Sequence, residues 1–249
     1  MADVQGLLSM LKEIKVILDR EKIPFWLEAG TLLGAIRENR ILPWDTDIDL
    51  GGLKKDFPDR IKKRLTKEFE KKGFIVYFFP EKIDFVKDEN PAIQIHLAYG
   101  PKKGYFTRQM ADNREKSGKL LHQVYRLSNV SYYGRFKLNA SRGSIKTNLF
   151  KIITFFPKNF KKKISDFVMA KLTNLKDAGI YYINVPESYF SNLKKINFYG
   201  SLFYVPSSCE KYLEAQYGDW RTPPKEKGPW VWHEHGNWKK VYKKEEMLI

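Results

Sequence analysis

Two aspartates two residues apart, Asp47 and Asp49, stand in WDTDIDLGG at 44–52, where they alternate with Ile48 and Leu50. Period-two alternation is the pattern of a strand with one polar face, so both carboxylates point the same way. Such a pair offers hard oxygen ligands to Mg²⁺ or Mn²⁺, cations that keep open positions for phosphate oxygens. A displacement at phosphorus needs its developing charge neutralised and its attacking and leaving oxygens aligned, which metals so held can do. Upstream, Gly30 and Thr31 lie where FWLEAG at 25–30, read as a short buried strand, passes into the helical TLLGAIRE. At that junction backbone N–H groups and a threonine hydroxyl can meet a phosphate with no side chain in the way, and Arg37 adds positive charge. Taken alone, a D-x-D tripeptide is usually a solvated strand face, so its surroundings must decide.

Those surroundings alternate strands and helices. The chain opens with Val4, Leu7, Leu8, Leu11, Ile14 and Leu18 at helical spacing, which predicts an amphipathic helix rather than a signal peptide. A second helix is expected over 57–72, with Ile61, Leu65 and Phe69 inward and Gly73 at its end. Strands follow at FIVYFF (74–79), IDFV (83–86) and AIQIHLAY (92–99). In the last of these, Gln94, His96 and Ala98 face away from Ile93, Ile95 and Leu97. From 100 to about 145 the pattern dissolves, which predicts loops and short elements. Residues 150–176 hold seven lysines among Phe, Ile, Leu and Met, with Asp166 the one acidic residue, and form a candidate surface helix. A helix of this kind is either a solvated face or lies on an anionic membrane surface.

Forty-five Lys plus Arg against 29 Asp plus Glu give a formal net charge of +16, which favours anionic partners. A single cysteine, Cys209, excludes an intramolecular disulfide and a cysteine-based zinc site; it reads as a packed thiol and suits a reducing compartment. No apolar stretch nears the roughly 20 residues a membrane span needs. A cytoplasmic protein is therefore expected.

The segment FWLEAGTLLGAIRENRILPWDTDIDLGG at 25–52 closely resembles the signature of the LicD family of phosphocholine transferases and their fukutin-like relatives. VPSSCEKYLEAQYGDWRTPP at 205–224 resembles a second segment that such proteins carry near the C-terminus. The resemblance implies an α/β (α+β) fold: a nucleotidyltransferase-like mixed β-sheet core flanked by helices, here over residues 1–100. Residues 101–249 would then be a helical and aromatic-rich portion packed on that core. It also implies Gly30 and Thr31 as the glycine motif, Asp47 and Asp49 as metal ligands, and Asp45 as an extension to W-D-x-D-x-D. The implied reaction moves a phosphorylated alcohol, phosphocholine or a polyol phosphate, from a CDP-activated donor to a sugar hydroxyl of a glycan or its lipid-linked precursor, releasing CMP. That acceptor would suit a position on the inner face of a membrane. Relatives place a third acidic residue on a later strand, where this chain offers His96 as ligand or proton acceptor; Asp84 is the alternative.

Other residues have plainer readings. Trp44 reads as packing, Glu28 as either a solvated strand end or a support for the site, and His233 and His235, flanked by Trp232 and Trp238, as structural. Two rival functions remain: a nucleotidyltransferase releasing pyrophosphate, and a basic nucleic-acid-binding module. Only the charge favours the second, because helix-turn-helix, RNP and zinc-finger patterns are missing.

Overall fold

In the computed structural model, which describes residues 4–87, 90–111, 116–130, 156–174, 180–223 and 240–241, the first helix forms as its spacing dictates. Helix α1 (Val4–Arg20) buries Leu7, Leu8, Leu11, Ile14, Ile17 and Leu18 on one stripe, against α3 (Asp59–Glu70) and β5 (Asn90–Lys102). Pro58 opens α3, and Gly73, at φ 81°, takes the left-handed conformation after it. Strand β1 (Trp26–Leu27) is shorter than FWLEAG suggests, because α2 (Ala29–Arg37) already begins at Ala29. Glu28 caps α2 by accepting the Ala29 N–H. Strand β2 (Ile48–Leu53) begins one residue after Asp47.

A mixed eight-stranded sheet carries the rest, with β3 (Ile75–Phe78), β4 (Lys82–Lys87), β6 (Tyr105–Ala111), β7 (Ile180–Pro186) and β10 (Lys240–Val241). Strand β2 lies antiparallel to β1 and parallel to β5, with Asp49 opposite Gln94 and Gly51 opposite His96. Along its first half the other edge of β5 carries β4 and then β3; along its second half it carries β6, β7 and β10. Ile93, Ile95 and Leu97 of β5 are buried in the main core with Ile48, Leu50, Ile83 and Phe85. The predicted fold class, a mixed sheet flanked by helices with a helical and aromatic-rich C-terminal region, is the one observed.

Regular structure extends further than the sequence pattern implies. Strand β6 and α4 (Lys116–Asn129) occupy much of 100–145, where loops and short elements were expected. The alternation in β6 is disguised because a charged residue, Arg108, is buried on it beside the apolar Phe106. Helix α4 packs Leu121, Val124 and Tyr125 against Ile164, Val168 and Leu172 of α5 (Lys158–Asn174) and Tyr182 of β7, a small second core. The hairpin β8 (Lys194–Phe198) and β9 (Ser201–Val205) precedes α6 (Cys209–Tyr217). Cys209 is partly buried against the core, as a packed thiol should be. Trp44 also packs there. Trp232, His233, His235 and Trp238 lie outside the described residues. Among the described residues no helix is long and apolar enough to cross a membrane.

On α4, burial and then the charges of Arg126 and Lys82 depress the His122 pKa to about 4. The unfolded chain takes up this proton first, so the stability His122 supports is complete above its unfolded value and is lost as pH falls towards about 4. Between about pH 6.5 and 4 the loss from this group should reach at most about 3 kcal/mol. Chemical denaturation across that range should show the slope in the wild type and a shallower one in His122→Phe.

Candidate active site

Strand β2 delivers Asp47 and Asp49 to the end of the sheet, and parallel pairing sets Gln94 and His96 of β5 beside them. The Gln94 amide donates to an Asp47 carboxylate oxygen at 2.9 Å, and His96 Nε2 lies 2.9 Å from Asp49 Oδ1. Each carboxylate is thus held by one side chain from the neighbouring strand, two residues apart on one face. Lys82 of β4 continues the chain of contacts, donating to Gln94 Oε1 at 2.6 Å and pairing with Asp84 at 2.9 Å. Of the two residues considered for the third position, His96 is the one brought to the aspartates. Asp84 sits one strand further out, facing Lys82 and Arg126.

Asp45 closes the other side. A Cβ added to Gly30 would stand 2.6 Å from Asp45 Oδ2, so the missing side chain leaves room for this carboxylate over the first turn of α2. The amino end of a helix favours an anion there. The space expected to admit a phosphate at Gly30 therefore holds Asp45. Thr31 is buried at 2% exposure, and its hydroxyl accepts the Asp49 N–H at 2.9 Å. It fixes the start of β2 and, so placed, presents no hydroxyl to a ligand. Arg37 donates to the Trp220 carbonyl at 3.1 Å and pairs with Glu38 at 2.8 Å, so its guanidinium ties α2 to the C-terminal segment.

Burial, then the charges of Asp47 and Asp49, raise the Asp45 pKa to about 7. Burial and Asp49 raise that of Asp47, against the pull of Gln94, His96 and Lys82. Crowding of carboxylates of this kind is what a bound cation would relieve, and their oxygens are the donor type that hard cations take. Among the described residues no group of three or more His, Cys, Asp or Glu is placed to hold a metal ion. Two carboxylates with substrate phosphates completing the shell is instead the ordinary way to bind Mg²⁺.

Gly30→Ala tests the place of Asp45. The new methyl would push away the flexible end of that carboxylate without meeting backbone, and alanine is favoured in a helix by about 1 kcal/mol. Turnover should fall about 10- to 100-fold through the displaced carboxylate, with the thermal midpoint held or raised. Unchanged kcat and KM would exclude Asp45 from the chemistry.

Behind the carboxylates lies a buried cluster that joins distant parts of the chain. Glu28, 1% exposed, accepts hydrogen bonds from Trp26 Nε1 at 2.7 Å, Tyr212 Oη at 2.5 Å, Arg108 at 3.0 Å and Gln216 at 3.2 Å. Its reading as a solvated strand end does not hold; it supports the site. Gly51 is required beside it, since a Cβ there would stand 2.2 Å from Trp26 Nε1 and 2.8 Å from Glu28 Oε2. Tyr217, one turn after Leu213, is pushed well above its ordinary pKa by burial and then by the charges of Asp49, Glu28 and Asp45. Helix α6 thus packs against α2 and reaches the Glu28 cluster behind the aspartates.

The two segments singled out in the sequence, 25–52 and 205–224, accordingly meet in space. A family model described as "LicD/FKTN/FKRP, nucleotidyltransferase domain" matches residues 22–135. Residues 22–135 are thereby assigned to the LicD-family nucleotidyltransferase domain. The match supports an activity of the general phosphotransferase and nucleotidyltransferase class. The chain is similar to "Uncharacterized protein RP689" of Rickettsia prowazekii (strain Madrid E), 33% identical over 73 residues, 29% of this chain and 27% of that protein. It is similar to "Uncharacterized protein RT0683" of Rickettsia typhi, 40% identical over 51 residues, 20% of this chain and 16% of that protein. It is also similar to "Ribitol 5-phosphate transferase FKRP" of Homo sapiens, 51% identical over 35 residues, 14% of this chain and 7% of that protein. The matches thus span about a quarter or less of these relatives' own lengths. The LicD domain match ends before α6, so Tyr212, Gln216 and Tyr217 lie outside it although they contact or face its site.

Sequence reading missed Gln94, Lys82, Arg108 and Gln216. Gln94 was visible as the polar neighbour of His96 on one strand face. Arg108 carried no signal beyond being a charge among the aromatic residues of YFTRQMA.

Proposed function

We propose that the protein is a metal-dependent phosphotransferase that moves a phospho-alcohol from a CDP-activated donor to a sugar hydroxyl, with release of CMP. The observation that carries this reading is the pairing of Asp47 with Gln94 and of Asp49 with His96, which orients two carboxylates side by side. Mg²⁺ or Mn²⁺ held by Asp47 and Asp49 would supply charge neutralisation at the donor's phosphates. The chain's own residues do the remaining work. Gln94 and Lys82 orient Asp47, Thr31 fixes the backbone of Asp49, and the buried Glu28 cluster holds both motifs in register. The acceptor hydroxyl attacks the distal phosphorus, the bond from that phosphorus to the bridging oxygen breaks, and CMP leaves with the bonding pair. The hydroxyl's proton passes to His96, which Asp49 orients. A polyol phosphate is the favoured cargo, supported by the ribitol 5-phosphate transferase named among the relatives.

Product analysis tests the reading. Incubation with Mg²⁺, CDP-ribitol, CDP-glycerol or CDP-choline, and a glycan acceptor should yield CMP and a phosphodiester-linked product. Pyrophosphate from CTP, with no CMP from any CDP-alcohol, would instead establish a nucleotidyltransferase.

A further inference from the structure

Helix α5 turns its buried side, Ser165, Val168 and Leu172, toward the molecule and leaves a strip of phenylalanines outside. Phe156 is 37% exposed, Phe160 46% and Phe167 64%. The first two, Phe156 just before the helix and Phe160 on it, pack at a tilt with ring centroids 4.7 Å apart, and Lys171 lies 5.8 Å from the Phe167 ring. Lys163 and Lys171 are exposed along the same side of the helix, and Asp166 is its one acidic residue. A merely solvated helix face has no use for three aromatic rings in water. Among the described residues these rings are not part of the α4–α5 core, which is made by other side chains of the helix.

We propose that this outer face of α5 docks on an anionic phospholipid surface. Phenylalanines at the boundary of headgroups and acyl chains with lysines reaching back to the phosphates is the arrangement of a helix lying in a membrane interface. Charge complementarity names the partner: the exposed face is basic, and the whole chain carries +16. Single-stranded nucleic acid also combines phosphates with stackable bases, but proteins bind it in grooves, whereas this strip lies on the convex outside of a helix.

Co-sedimentation of the full chain with vesicles of phosphatidylcholine, with and without phosphatidylglycerol, tests the proposal. The protein should pellet with the anionic vesicles and remain in solution with phosphatidylcholine alone. Phe160→Ser with Phe167→Ser keeps every charge and removes only exposed rings, so folding should be unaffected; binding should drop at least about tenfold. Lys163→Glu with Lys171→Glu should lower it to a similar extent. Failure of the wild type to pellet with anionic vesicles would overturn the proposal. So would vesicle binding that survives loss of both rings, which would mean diffuse attraction by net charge. Loss of oligonucleotide binding in the same variants, with vesicle binding absent throughout, would overturn it in favour of a nucleic-acid surface.

Discussion

Asp49→Ala should lower metal-dependent turnover by about 10³-fold or more and leave the thermal midpoint nearly unchanged. Among the described residues the carboxylate is anchored by His96, and it stands at the end of the sheet, so its removal leaves no large cavity. Loss of a metal anchor forfeits several kcal/mol of transition-state stabilisation, and each 1.36 kcal/mol is about tenfold in rate. Asp47→Ala should behave alike, since Gln94 is neutral and leaves no unpaired charge behind. Steady-state kinetics with calorimetric unfolding on both variants checks this, and wild-type turnover in either would remove that residue from the site.

Glu28→Gln should have the largest effect on stability. Glu28 and Arg108 have side-chain exposures of 1% and 6%, and neutralising one strands the other's charge in the interior. Breaking such a pair costs about 3–5 kcal/mol, equivalent to roughly 10 °C in the unfolding midpoint of a chain this size. Arg108→Met should cost a similar amount, and the double variant less than the sum, a coupling measurable by a double-mutant cycle. Acidity gives a second reading of the same pair. Burial pushes the Glu28 carboxyl up, but Arg108, Tyr212 and Trp26 outweigh it, so its pKa lies below the ordinary 4.5. Its stabilisation is therefore fully present above about pH 4.5 and lost as pH falls through the lower folded value. The wild type should lose stability steeply on that acid limb, and Glu28→Gln should not.

Much of the site was legible because strands print their faces into the sequence. The alternation of Asp47 and Asp49 with Ile48 and Leu50, and of Gln94 and His96 with the isoleucines, is enough to assign four polar groups to two strand faces. Their adjacency was not legible, since parallel pairing of β2 with β5 is a long-range choice. The Glu28 cluster was hidden for the same reason: Arg108 is 80 residues away and Tyr212 is 184 away. Local pattern marks each of these as polar and exposed, and only partners from other elements make their burial tolerable. Gly30 was legible as a close-approach position. What approaches it proved to be Asp45, which no local rule distinguishes from a phosphate.

Isothermal titration of the purified protein with CDP-ribitol, in Mg²⁺ and again in EDTA, bears most directly on the aspartate pair as a cation-assisted donor site. Binding that appears with Mg²⁺, vanishes with EDTA and is absent in Asp49→Ala is the expected result. Equal binding in EDTA, or no binding of any CDP-alcohol while CTP binds, would contradict it.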